Sequence, residues 1–235
     1  MLLSFIVSGF YSYSREIMKK YIFAFILSIL LIIVVSPAIT FAEDRIPDFR
    51  ETSDSLEPLE GDWAFYWKKL LEPGDFDGDA SSEVVEPSLY APVPGAWNGY
   101  EVDGEKLSGS GYATYRLEVL LSTDKITAFK MPRILTAYRM WVDGEEVAGA
   151  GRVGTGTSES EPRYLPQEVF VMPDEESVEI ILQVSNFHHR SGGILENIQV
   201  GTDQQVLSAT KSRLAYELFL FGSLLVLGIY HLVLY

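Results

Sequence analysis

Tyr112–Leu121 reads YATYRLEVLL, and its alternation decides the fold class. Ala113, Tyr115, Leu117, Val119 and Leu121 form an apolar face, while Tyr112, Thr114, Arg116 and Glu118 form the other. A period of two with one polar face is the pattern of a half-buried antiparallel strand. Downstream, Ala137–Val142 and Glu145–Ala148 flank Asp143-Gly144. Asp-Gly between two such runs predicts a hairpin, because a type I′ turn needs positive φ at both central residues. Val178–Phe187 alternates again, and Trp63–Trp67, Thr127–Met131 and Ile194–Val200 are further candidate strands. A short helix is expected at Trp67–Leu71, stopped by Pro73-Gly74. Many short strands without long helices imply a β-sandwich or barrel over residues 56–203, after a polar leader at 43–55.

Two apolar segments bracket this body. Met18-Lys19-Lys20 precedes the apolar run Tyr21–Val35, and Thr40 and Ala42 suit the −3 and −1 positions of a cleavage site. A basic start, an apolar centre and a small-residue end have the order of a secretory signal, here residues 18–42. An uncleaved anchor helix is the other reading, and export follows from both. Residues 1–17 read as an upstream extension, with Met18 as the expected start. The second segment, residues 214–235, has only Glu217 and His231 as ionisable groups, and its length suffices to span the hydrocarbon core. Lys211 and Arg213 precede it, contrary to the usual cytoplasmic bias of basic residues. The expectation is therefore a fragment that stops at the first helix of a larger membrane protein. Its β domain would sit on the extracytoplasmic side of a cell membrane.

Composition narrows the function classes. With 18 Lys+Arg against 33 Asp+Glu, the formal charge is −15, which would repel a nucleic-acid phosphate backbone. The chain contains no cysteine, so no disulfide, thiolate metal site or cysteine nucleophile can form. Gly149-Ala150-Gly151-Arg152-Val153-Gly154 satisfies G-x-G-x-x-G, but the acidic, Ser- and Thr-rich segment that follows cannot start a phosphate-binding helix. Asp75, Asp77, Asp79, Glu83 and Glu86 match a calcium-loop spacing. Ala80 stands where the turn needs Gly, and an acidic solvated loop is the competing reading. His188 and His189 are adjacent, and on a strand they would face opposite ways, so a shared metal ion is not expected. They could instead join Arg190 on a loop tip, either to bind a polar ligand or to stabilise the loop. Trp97, Trp141 and Tyr164 are candidates for stacking on a ring, or else core aromatics. Arg116 and Arg139 lie opposite the apolar faces of their strands, free for bidentate contacts or for pairing with surface acids. No catalytic constellation is present, and neither enzymatic activity nor a cofactor is expected.

Five motifs recur in a recognisable order: Leu59–Trp67, Val93–Asn98, Gly109–Leu117, Ala137–Gly144 and Ser185–Gly193. Together with Phe219–Gly222 and Gly228–Leu232, they resemble the extracytoplasmic sensor domain and first membrane helix of bacterial seven-transmembrane receptors with diverse intracellular signalling modules. The same order resembles the galactose-binding-like jelly roll of family-2 glycoside hydrolases, in which Gly192-Gly193-Ile194 fits a recurring strand. The resemblance covers residues 59–235. It implies an all-β jelly-roll sandwich that senses a small-molecule or carbohydrate ligand beside a lipid bilayer. The partners expected are that ligand and the membrane, with a second copy of the chain as a further candidate. The receptors continue into further helices and an output module that this chain lacks. A membrane-anchored carbohydrate-binding or structural module without signalling is thus the alternative. Sequencing the N-terminus of the exported protein should return Glu43. A recovered peptide containing Tyr11–Arg15 would contradict a start at Met18.

Overall fold

The computed structural model describes residues 46–51, 53–76 and 85–234. The upstream extension, the signal sequence and the calcium-loop residues Asp77, Asp79 and Glu83 lie outside the described residues. The strands are β1 (Glu57–Pro58), β2 (Gly61–Trp67), β3 (Leu89–Val93), β4 (Gly95–Ala96), β5 (Glu101–Val102), β6 (Glu105–Lys106) and β7 (Gly111–Leu120). They continue as β8 (Thr127–Lys130), β9 (Ala137–Val142), β10 (Glu145–Ala150), β11 (Glu168–Val171), β12 (Ser177–Asn186), β13 (Gly193–Ile194) and β14 (Gln199–Thr202). Helix α1 (Asp203–Leu234) follows.

A six-stranded antiparallel sheet runs in the order β10-β9-β12-β7-β2-β3, and a four-stranded sheet in the order β1-β14-β8-β11. Facing one another, they make an all-β sandwich of jelly-roll type. The alternation read from the sequence sets which side chains enter it. Ala113, Tyr115 and Val119 of β7 meet Val178, Ile180, Leu182 and Val184 of β12, with Tyr138 and Met140 of β9, in one buried cluster. Trp63 and Phe65 of β2 and Phe129 of β8 complete it. Asp143 and Gly144 have φ values of 46° and 81°, the geometry of the expected hairpin turn. Asp103-Gly104 makes the same turn between β5 and β6, with φ of 54° and 78°.

Three elements depart from the sequence-based expectation. The expected helix at Trp67–Leu71 is absent: Trp67 closes β2, Lys68 turns with φ of 55°, and a short 3₁₀ turn forms only at Pro73–Asp75. The physical reason is competition for backbone groups. The Thr114 hydroxyl accepts from Leu71 N–H and donates to Lys69 C=O, both at 2.9 Å, and Gln183 Nε2 donates to Leu71 C=O at 3.0 Å. These bonds lay the chain across the outer face of the six-stranded sheet. Ile194–Val200 is not one strand, since Gly193–Ile194 pairs with β4 while Gln199–Thr202 joins the second sheet. Finally, the helix begins at Asp203, ahead of the expected span at 214–235.

That early start has a local cause. Thr202 and Gln205 form a reciprocal cap: Gln205 N–H donates to Thr202 Oγ1 at 3.2 Å and Thr202 N–H donates to Gln205 Oε1 at 2.9 Å. The first turns pack on β14 and β8, burying Val206 completely. Beyond them α1 is exposed, and it is long and apolar enough to cross a membrane.

Burial also marks the tyrosines. It pushes the Tyr138 phenol up to about 12 and raises Tyr66, Tyr100 and Tyr115 above the ordinary value of 10. Below pH 10 these phenols are neutral in both states. As pH rises from 10 toward 12, the unfolded chain releases protons that the native state retains, so stability falls. Denaturant unfolding across that range should show this loss, and Tyr138→Phe should lessen it. A flat profile would contradict the burial.

Candidate functional site

The outward side chains of the six-stranded sheet form the richest polar constellation among the described residues. Register places Ala64, Arg116, Ile181, Trp141 and Glu146 in one cross-strand row, and Tyr66, Thr114, Gln183, Arg139 and Gly149 in the next. Arg116 and Trp141 are thus two strands apart, about 10 Å by strand spacing. Segment 68–76 covers part of this face as a strap and buries the outward Gln183, while Gly154 and Ser160 of the loop after β10 cover the outward Ser185.

Two guanidinium groups organise the face. Arg139 donates to Glu72 Oε1 of the strap at 3.0 Å and to Glu146 Oε2 at 2.6 Å, and lies 4.6 Å from the Trp141 ring centre. Arg116 donates to Glu179 Oε1 at 2.5 Å and lies 4.7 Å from the ring centre of Phe76, which itself packs edge-on against Tyr66. The bond to Glu146 raises the pKa of Arg139, outweighing its partial burial. Burial works against the Arg116 charge, yet Glu179 and Tyr66 outweigh it and raise the pKa. Both side chains keep about 40% exposure, at 42% and 38%, so these pairs contribute little to stability and remain open to exchange with a ligand. A planar cation over an aromatic ring, flanked by carboxylates, presents donors to a carboxylate or to paired hydroxyls.

The remaining candidates fall elsewhere. Trp97 is a core residue: it is fully buried, packs edge-on against Trp67 and donates from Nε1 to Gly109 C=O at 3.2 Å. A Cβ on Gly192 would lie 2.2 Å from its indole, so no ring face is left for a ligand. Trp141 is only 5% exposed, its face lying under Arg139. Tyr164 is 52% exposed, in the loop before β11, with Arg133 at 6.0 Å. His188 and Arg190 are exposed, and His189 is half-buried, with Nδ1 2.8 Å from Ser191 C=O.

Asn186 shapes that loop. Its amide nitrogen donates to the carbonyls of Gly109 and His189, both at 2.7 Å, and its oxygen accepts from the N–H groups of His188 and His189. Asn98 braces the other side through Arg190 C=O and Gly192 N–H. Of the calcium candidates, Asp75 accepts from Glu72 N–H within the strap's own turn, and Glu86 is exposed. Among the described residues no group of three or more His, Asp or Glu could hold a metal. Sequence reasoning missed Glu72, Phe76, Thr114, Gln183, Asn98 and Asn186. Only Asn186 carried a local signal, an Asn at a strand end before a Gly-rich turn.

No family model matches the chain, and no curated protein matches it. Among solved structures it is similar to a beta-glucuronidase from an uncultured Clostridium sp., at 15% identity and a TM-score of 0.46, over 65% of this chain and 30% of that one. It is also similar to a beta-glucuronidase from Ruminococcus gnavus, at 13% identity and 0.44, over 64% and 29%. A third is a GH2 beta-galacturonidase from Eisenbergiella tayi, at 17% and 0.42, over 65% and 26%. The chain therefore spans less than a third of these enzymes.

Thr114→Val should free the strap. It leaves Leu71 N–H and Lys69 C=O unpaired, at a cost of about 1–3 kcal/mol. Trypsin should then cut faster at the exposed Lys68 and Lys69. Unchanged cleavage and an unchanged Tm would show that these bonds do not hold the strap.

Proposed function

We propose that this chain is the extracytoplasmic ligand-sensing domain of a bacterial membrane receptor, joined to its first membrane helix and binding a carbohydrate or sugar acid. The observation that carries this reading is the direct passage of β14 into α1. Thr202 ends the strand, Asp203 begins the helix, and the reciprocal Thr202–Gln205 cap leaves no slack between them. A tether that only held a binding module at the surface would work equally well through a flexible linker. A packed junction instead couples the orientation of the sandwich to that of the helix.

The mechanism follows from differential binding. A ligand shifts a receptor only by preferring one of its states. Arg139 holds Glu72 of the strap, and a ligand carboxylate or hydroxyl pair competing for that guanidinium would favour the state in which the strap has moved. Arg116 and Phe76 at the strap's far end provide the second contact. Catalysis is not part of the reading: of the carboxylates on this face, Glu72 and Glu146 are ion-paired to Arg139 and Glu179 to Arg116. The motif resemblance to sugar-binding jelly rolls favours a carbohydrate.

The test is a thermal-shift screen of the full chain in detergent against neutral sugars, uronic acids and other organic acids. One class should raise the Tm. Arg139→Ala should abolish that shift while changing the unliganded Tm little, since exposed pairs contribute about 0–1 kcal/mol. If no compound shifts the Tm, the ligand-sensing reading fails. Hydrolysis of a nitrophenyl glycoside, lost on Glu146→Gln, would replace it with an enzyme.

A further inference from the structure

The path of α1 over the sandwich determines which end of the domain meets the bilayer. Thr202 pairs with Thr127 at the start of β8, so the helix begins at that end. Thr210 Oγ1 hydrogen-bonds Glu168, whose register partner is Lys130 at the other end of β8. Seven helical residues rise about 10 Å, the same as three residues of strand. The helix thus crosses the outer face of the four-stranded sheet and leaves the domain at its Lys130 end. The loops at that end include 131–136, which leads into β9, 151–167, which connects β10 to β11, 187–192, which follows β12, and 195–198, which leads into β14.

Leu135, Tyr164 and Leu165 are exposed at 39%, 52% and 42%. Arg133, Arg152, Arg163 and Arg190 stand here with Glu159, Glu161 and Glu196, the last paired to Arg133 at 3.4 Å. At the opposite end, loops 121–126, 143–144 and 172–176 carry Asp124, Asp143, Asp174, Glu175 and Glu176 beside Lys125 and Arg50, the latter paired to Glu176 at 2.8 Å. The end from which the helix emerges therefore combines exposed leucine and tyrosine side chains with arginines. Tyrosine and arginine beside short apolar side chains suit the interfacial zone of a membrane, where a ring sits at headgroup level and a guanidinium meets phosphate.

We propose that the helix-proximal end of the sandwich, through Leu135, Arg163, Tyr164 and Leu165, rests on the phosphate and glycerol zone of the bilayer that α1 enters. This surface gives the domain a second attachment and fixes its tilt. The proposal rests on the reading that α1 spans a membrane.

Because the chain lacks cysteine, single labels can be placed without removing any native residue of that type. Tyr164→Cys, Asp174→Cys and Leu225→Cys chains, each carrying an environment-sensitive nitrobenzoxadiazole label, would be reconstituted in phosphatidylethanolamine–phosphatidylglycerol vesicles. Quenching by headgroup spin-labelled lipid and by aqueous iodide is then compared. The label at 164 should be blue-shifted relative to 174 and quenched several-fold more by the lipid. A label at 164 as open to iodide as that at 174, with 225 quenched by lipid, overturns the proposal and leaves the membrane span intact. A label at 164 shielded from both quenchers overturns it in favour of a protein cover, another helix or a second copy. Iodide access at 225 removes the span itself, and the proposal with it.

Discussion

The contact between the first turns of α1 and the outer face of the four-stranded sheet constrains everything else in this molecule. A helix with an apolar surface from residue 214 onward has nothing in the sandwich to hold it. Its attachment depends on Val206, on the Thr202–Gln205 cap and on the bond from Gln205 Nε2 to Ser53 C=O. Gly201 makes that approach possible. A Cβ there would lie 2.5 Å from the Gln205 side chain and 2.6 Å from Leu56, so a larger residue would push the Gln205 amide out of its cap. Because the contact fixes where α1 leaves, it also decides which loops stand at the end from which the apolar helix emerges.

The two sheets divide the work. The four-stranded sheet has strands of at most four residues and uses its outer face to seat the helix. The six-stranded sheet has ten-residue strands at its centre, β7 and β12, and turns its outer face to the strap and to two arginines. Core residues such as Tyr115, Leu182 and Phe129 join the two faces, so a change on one is felt by the other through close-packed side chains.

What the sequence made legible follows from the range of each interaction. The alternation in β7 and β12 and the Asp143-Gly144 turn are local properties, and they appear where expected. Asp103-Gly104 was equally readable as a hairpin. The strap was not, because Thr114 and Gln183 capture its backbone from residues more than forty positions away. Arg116 and Arg139 were placed on the outward faces by period alone, and the structure brings them to one surface. Trp97 could not be sorted into core or surface from its neighbours in sequence, since Gly109 and Gly192 bury it from other parts of the chain. The helix start was hidden for a different reason: the polar residues 203–213 look like a linker until Thr202 and Gln205 are recognised as a cap.

The central claim is that sandwich and membrane helix move as one body. Two spin labels introduced at Glu118, exposed on β7, and at Lys211, exposed on α1, report it directly through their pulsed electron–electron distance distribution in lipid nanodiscs. The account predicts a single narrow distance, the same with and without ligand. A broad distribution that ligand leaves unchanged would mean a sandwich swinging freely on its anchor, and would contradict it.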